Sequence, residues 1–284
     1  MVSAIASKGN RRSTNLSMVA LYLLLAIGII MALLPFYWMF TSSFKTSGDI
    51  WVYPPELIPK APTLLNYSNL FTQSLFPRHF LNSTVVAICY TVLSLFFASL
   101  GGFAFAKYSF PGRDFLFIAL LGTMMIPTEV TLVPLFVVMS RIGWVDSYAS
   151  LIIPFSANAF GIFMMRQNMS NVPSELLDAG RIDGCREFQL YHKLALPVVK
   201  PGLSALAILN FLNSWNDFLW PLIILQDKKM FTVPLSIALM KGLDFADYGL
   251  IMAASSVATL PVMVVFWLMS EHFIAGALSG ALKG

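Results

Sequence analysis

Charge and cysteine are scarce in this chain. Charged residues make up 11% of its 284 positions against 57% hydrophobic ones, where soluble domains carry about a quarter charged. A water-soluble globule would have nowhere to put that apolar surface, so a soluble fold is excluded. The two cysteines, Cys89 in an apolar run and Cys185 in a polar segment, exclude a disulfide framework. His79, His192 and His272 are scattered, without the spacing of metal ligands. No Gly-x-x-x-x-Gly-Lys-Ser/Thr occurs, so the chain has no phosphate-binding loop of its own. No Ser/His/Asp set or carboxylate pair stands inside the apolar runs, so no enzyme site and no cofactor are expected here. The formal charge of +4 calls for no nucleic-acid partner, because basic residues flanking the apolar runs account for it.

What the sequence has in quantity is apolar runs of bilayer length, about 20 residues each. The first, Met18 to Phe40, follows a polar segment with Lys8, Arg11 and Arg12. A signal peptide has the same order, but its apolar core is only ~7–15 residues. This run is longer and ends in the aromatic cluster Pro35-Phe36-Tyr37-Trp38, so it reads as a retained span. Thr41 to His79 is a polar loop rich in proline. Phe80 to Ala106 is the second span, with Ser94, Ala98, Gly101, Gly102 and Ala104 suited to close helix packing. The third begins at Phe115 and breaks at Pro127, Glu129 and Pro134, after which Leu132 to Ile142 is expected to lie in the interface. The fourth is Tyr148 to Met165, the fifth Leu203 to Leu225 and the sixth Tyr248 to Met269. The expectation is an all-α, six-span protein: residues 1–17 outside the bilayer, 18–273 the membrane domain, and 274–284 a tail. Eleven Lys and Arg residues fall on the side of the termini and seven on the other, which puts both termini in the cytoplasm.

Residues 166–202 form a long polar interruption on that same side. Within it, VPSELLDAGRIDGCREFQLYHKLALPVVKP opens with a helix start at Pro173. Leu176, Ala179, Gly180 and Asp183 follow at helical spacing, with Glu175, Asp178 and Arg181 round the other side. Gly184 allows a left-handed turn, and a second short helix is expected from Cys185 to Leu194, carrying Phe188. Pro197 and Pro201 bound the return to apolar sequence. Two short helices joined by a glycine elbow make a docking surface rather than a span.

The order Asp178-Ala179-Gly180-x-x-Asp183-Gly184, then Phe188, Leu196-Pro197 and Pro201, resembles the "EAA" loop of ABC-importer permeases. Asp178 stands where that family has Glu and Gly180 where it has the second Ala; Glu175 is a further acid one turn earlier. The glycine-spaced tail, Gly276, Gly280, Lys283 and Gly284, resembles one subfamily, the smaller permease of maltose-type carbohydrate importers. So do Ser214-Trp-Asn-Asp-Phe-Leu-Trp-Pro-Leu in the fifth span and Leu260-Pro261 in the sixth. That resemblance implies the type I importer permease fold, in which a second, different permease pairs with this one on a homodimer of a cytoplasmic ATPase. It also implies an external solute-binding protein that delivers a sugar, with ATP and Mg bound by the ATPase. By likeness, Glu175 to Gly184 would seat in the ATPase and the tail would reach toward it.

Asn210, Asn213, Asp217 and Trp220 recur at steps of three, four and three, which places them on one helical face. With Trp215, Asn216 and Glu129 they are candidates for a translocation path, since polar groups at membrane depth face a bundle interior or a watery route. The alternative is hydrogen bonding between helices. The predicted spans hold no arginine, which favours a neutral sugar over a glycerol phosphate. An ion-coupled secondary transporter would need a coupling pair or inverted repeats, and neither is readable.

Overall fold

Backbone amides inside a bilayer have no water to bond, so a chain of this composition must satisfy them within helices. The computed structural model describes residues 9–240 and 247–281, with side chains over 18–240 and 247–268. Among the described residues all regular structure is helical. In order come α1 (Gly9–Ser42), α2 (Leu65–Thr72), α3 (Phe76–Lys107), α4 (Arg113–Thr123), α5 (Thr128–Arg141), α6 (Tyr148–Ser156) and α7 (Ala159–Ser170). Then follow α8 (Ser174–Ile182), α9 (Glu187–Gln189), a π turn (Leu190–Ala195), α10 (Leu196–Val198), α11 (Lys200–Trp215), α12 (Leu219–Ile224), α13 (Val233–Leu239) and α14 (Tyr248–Ala281).

Met18–Ser42, Phe76–Lys107 and Tyr248–Leu268 are each long and apolar enough to cross a membrane alone. Three bent pairs bring the count to six if each pair is one span: α4 with α5 at 98°, α6 with α7 at 46°, and Glu187–Val198 with Lys200–Ile224 at 83°. The expected break at Pro127 and Pro134 falls at Pro127 alone. Pro134 lies inside α5, where one missing N–H removes a single ladder bond. The expected fifth span is likewise not one helix, because it stops at Trp215 and restarts at Leu219.

The chain divides into two compact units, one with α1, α2 and α14 up to residue 257, the other with α3 to α13 and the rest of α14. In the first unit the expected polar loop after α1 is folded. Lys45, only 2% exposed, donates to the Glu56 carbonyl and sits 4.4 Å from the Trp38 ring. The Asn66 amide donates to the Ser43 and Lys45 carbonyls, each at 2.8 Å.

The second unit is built on α3. Its small residues let α7 come close: a Cβ on Gly102 would lie 2.6 Å from Met165 Cβ, and one on Gly161 3.0 Å from Ala98 Cβ. Below that contact Ala98 and Phe103 join Met165, Met169, Leu177, Leu190, Tyr191 and Leu206 in one buried cluster. Toward the other end Val86 packs with Leu132, Leu151, Trp220, Ile224 and Leu235.

Gly102→Ala should therefore lower the unfolding temperature of the detergent-solubilised protein, by the equivalent of about 1–3 kcal/mol. Gly28→Ala, whose Cβ would meet nothing within 4 Å, should gain about 0.5–1 kcal/mol of helix propensity. Equal melting temperatures for the two variants would contradict the close α3–α7 contact.

Candidate coupling segment and intramembrane polar cluster

Pro173, in extended conformation with ψ 135°, sets the start of α8. Nine residues are too few for a helix to hold by itself in water, so the closure of its end matters. Gly184 has φ +82°. The Cys185 N–H donates to the Gly180 carbonyl at 2.9 Å and the Gly184 N–H to the Arg181 carbonyl at 3.0 Å, the paired bonds that a left-handed residue after a helix permits. Leu177, 2% exposed, and Gly180 face inward. A Cβ on Gly180 would lie 2.6 Å from Leu194 Cδ1 and 2.7 Å from Leu190 Cδ2.

The outward face is Glu175, Leu176, Asp178, Ala179, Ile182 and Asp183. Spacing groups Leu176 with Gly180, yet Leu177 is the inward leucine, and Ile182 is 87% exposed. The signal was present, because Leu177 and Ile182 are five residues apart, about 140° round a helix. Phe188 is 60% exposed beyond the elbow. The expected helix from Cys185 to Leu194 is instead the short α9 widened into a π turn, where Leu196 N donates to Tyr191 O five residues back. Pro197 and Pro201 sit in the first turns of α10 and α11, where a missing N–H is harmless.

The Arg181 fork fixes the elbow. It bonds Asp178 Oδ1 at 2.7 Å, Glu187 Oε1 at 3.0 Å and Glu187 Oε2 at 3.2 Å, and Tyr108 donates its hydroxyl to Glu187 Oε2. Burial first, then the Glu187 contact, pushes the Tyr108 hydroxyl up to about 12. The Glu187 hydrogen bond, followed by that of Asp178, raises the Arg181 guanidinium above its ordinary value.

At membrane depth a second constellation forms. The α6–α7 break is capped by Asn158, whose Oδ1 accepts from Gly161 N at 2.6 Å. Its amide also donates to Ser94 Oγ at 2.9 Å, and Asn210 donates to the same oxygen at 3.0 Å. Tyr90, one turn before Ser94 on α3, is buried as well. The four residues expected on one face separate. Asn210 is buried in this junction and Asn213 is exposed. Asp217 Oδ1 accepts from Trp220 N across the helix break, at 3.4 Å. Trp220 is 2% exposed and donates its indole N–H to the Ser150 carbonyl at 2.9 Å, which makes it a packing anchor. Trp215 is buried too and donates to the Ala258 carbonyl at 3.1 Å. Asn216 is exposed and bonds Leu212 O at 2.9 Å. Glu129 is exposed at the start of α5, apart from this cluster. Gly276 and Gly280 fall in α14, whereas Lys283 and Gly284 lie outside the described residues.

The family model for the binding-protein-dependent transport system inner membrane component matches residues 94–276. The chain belongs to this family. Membership decides against the ion-coupled alternative and makes the chain a multi-pass membrane permease of ABC-importer type. The permease is 36% identical over 269 residues to the arabinooligosaccharides transport system permease protein AraQ of Bacillus subtilis, covering 94% of this chain and 96% of that one. It is 30% identical to the lactose transport system permease protein LacG of Rhizobium radiobacter, over 92% and 95% of the two chains. The sn-glycerol-3-phosphate transport system permease protein UgpE of Rhizobium meliloti is 32% identical, over 90% and 94%. The fold matches a chain of the crystal structure of a bacterial ABC transporter involved in the import of the acidic polysaccharide alginate. That match has a TM-score of 0.81 at 23% identity and covers 95% of this chain and all of that one. The six-span expectation of a type I permease fold thus holds, with three of the spans bent.

Gly180→Leu should drive Leu190 and Leu194 aside and free α8. Limited proteolysis in detergent is then expected to cut within 174–189 faster than in the parent. Gly184→Ala should have a smaller effect, because nothing lies within 4 Å of its Cβ and only the backbone is strained. Identical cleavage in all three proteins would contradict the seating of α8.

Proposed function

We propose that this permease carries a neutral di- or oligosaccharide inward across the cytoplasmic membrane. It pairs with a second, different permease on a homodimer of an ABC ATPase, and an extracytoplasmic solute-binding protein supplies the sugar. ATP and Mg act on the ATPase, and this chain is non-catalytic. The observation that carries the reading is the outward face of α8 and its elbow. Ile182 and Phe188 stand 87% and 60% exposed, on a segment anchored by Leu177, Gly180 and the Arg181 fork. Large apolar side chains in a polar loop mark a surface that another protein covers, and a lever must be stiff to convert domain closure into span movement. On this reading both termini and residues 166–202 are cytoplasmic, and the tail through Gly276 and Gly280 reaches toward the ATPase.

The sugar reading rests on the chemistry of the polar groups at membrane depth, Tyr90, Ser94, Asn158, Asn210 and Asn213. Hydroxyls and amides exchange hydrogen bonds with sugar hydroxyls and supply no cation for a phosphate. On this reading the exposed Asn213 of α11 and Asn216 just past its end line a path shared with the other permease. The named relatives for arabinooligosaccharides and lactose support this reading. The glycerol-phosphate relative keeps a second reading open, in which the partner permease supplies the charge.

In lipid, the co-purified complex with its binding protein should show ATP hydrolysis stimulated by one sugar of a panel. Stimulation by glycerol 3-phosphate and by no sugar would establish the second reading. Ile182→Asp should abolish retention of the ATPase, because a carboxylate would be buried in the joint. Gly184→Asp should keep the ATPase but lose transport at least tenfold. Full transport by both variants would remove 174–189 from the coupling role.

A further inference from the structure

In the second unit α3 runs 32 residues, with no proline beyond its first turn. The neighbouring spans of that unit are bent pairs with angles of 46° to 98°. At 1.5 Å rise per residue α3 is about 48 Å long, enough to cross a membrane unbroken. What it holds at each end is specific.

At its cytoplasmic end two consecutive residues bracket α8. Lys107 Nζ donates to the Val172 carbonyl, on the chain leading into α8. Tyr108 donates to Glu187, on the chain leading out, and Glu187 is held in turn by Arg181 of α8. One turn further in, the Phe103 and Tyr191 rings are 5.6 Å apart, and a turn beyond that Ser99 Oγ and Tyr191 OH are 2.7 Å apart. At the opposite end α3 grips the segment 228–233. Asn82 Nδ2 donates to the carbonyls of Lys229 at 2.9 Å and Phe231 at 3.0 Å. Ser83 Oγ accepts from Val233 N at 2.7 Å. Arg78 Nε donates to Lys229 O at 3.0 Å, and His79 Nε2 lies 2.8 Å from Lys228 O. These contacts run from side chain to backbone, so they clamp the segment's path whatever side chains it carries.

We propose that Tyr108, Glu187 and Lys107 at one end, and Asn82 and Ser83 at the other, are positioning residues of the transport cycle. They make α3 a stiff link that carries movement of α8 to the extracytoplasmic segment 228–233, and movement of that segment back. The link rests on the reading of 174–189 as the ATPase-facing segment. A carried motion needs a contiguous path of packed or bonded groups, and each joint here is a hydrogen bond whose loss leaves the helix itself intact. Tyr108 and Asn82 are 26 residues apart on or beside α3, about 39 Å along the axis.

A series link has a signature that independent structural roles lack. Substitutions so far apart ordinarily act independently, so their effects on a ratio multiply. In a series link, breaking one joint already loses the signal, and breaking the second adds nothing. The experiment measures sugar moved per ATP hydrolysed by the reconstituted complex with its binding protein. The proteins compared are the parent, Glu187→Gln, Asn82→Ala and the double variant, with retention of the ATPase checked in each. Tyr108→Phe and Ser83→Ala serve as second variants at the two ends where a first does not assemble. The expected result is a fall of at least threefold in each single variant, with the ATPase retained. The double variant should then be no worse than the more severe single. A double variant with the product of the two single effects would overturn the link, as would single variants that melt lower but keep the parental ratio. If the parent complex itself retains no ATPase, the underlying reading of 174–189 fails, and the link with it.

Discussion

A helix that breaks inside a bilayer leaves amides and carbonyls that no water can reach, and the rest of this permease depends on how those groups are satisfied. The α6–α7 break is closed by Asn158 taking the Gly161 amide, and the α11–α12 break by Asp217 taking the Trp220 amide. Asn216 adds a bond back to the Leu212 carbonyl. Each cap is a polar side chain at membrane depth, and such a side chain has further hydrogen bonds to make. Asn158 spends its amide on Ser94, the same hydroxyl that Asn210 reaches from α11. The requirement to cap a broken helix thus produces a polar junction of three helices, which is the material from which a path for a hydroxylated solute can be made.

Within the second unit the bent spans pack on a straight one. Breaks of 98° and 46° interrupt α4–α5 and α6–α7, whereas α3 supplies the continuous body on which its neighbours pack. Its small residues are what allow this. Gly102 admits the α7 backbone and Ala98 meets Gly161, so helix contact is set by backbone approach rather than by interlocking large side chains. The cluster below that contact reaches through Leu177, Leu190 and Tyr191 into the segment around α8. The membrane core and α8 therefore share one set of buried side chains.

Much of this is legible in the sequence, and the failures have a common cause. Apolar runs locate the spans because the bilayer imposes a length. Pro173, Gly184 and Pro201 locate the turns of the coupling segment because their backbone geometry allows little else. The stripe of Asn210, Asn213, Asp217 and Trp220 fails because periodicity presumes an unbroken helix, and this one ends at Trp215. Past the break Trp220 turns into the core, and only Asn210 reaches the junction. Ser94 was readable as a small packing residue, and it is one, but its role as a shared acceptor depends on two amides that arrive from 64 and 116 residues away. Leu176 and Leu177 are adjacent leucines on a polar helix, and only the packing of Leu190 and Leu194 against Gly180 decides which turns inward. Arg181, Glu187 and Tyr108 escape sequence reasoning for the same reason, since Tyr108 meets Glu187 across 79 residues.

The central claim is that residues 174–189 are the surface through which this permease meets its ATPase. Hydrogen exchange of the permease in lipid, with and without the co-purified ATPase, tests it directly. The account predicts slowed exchange in 174–189, strongest around Ile182 and the Gly184 elbow, when the ATPase is present. Unchanged exchange in that segment, with protection confined to another loop, would contradict it.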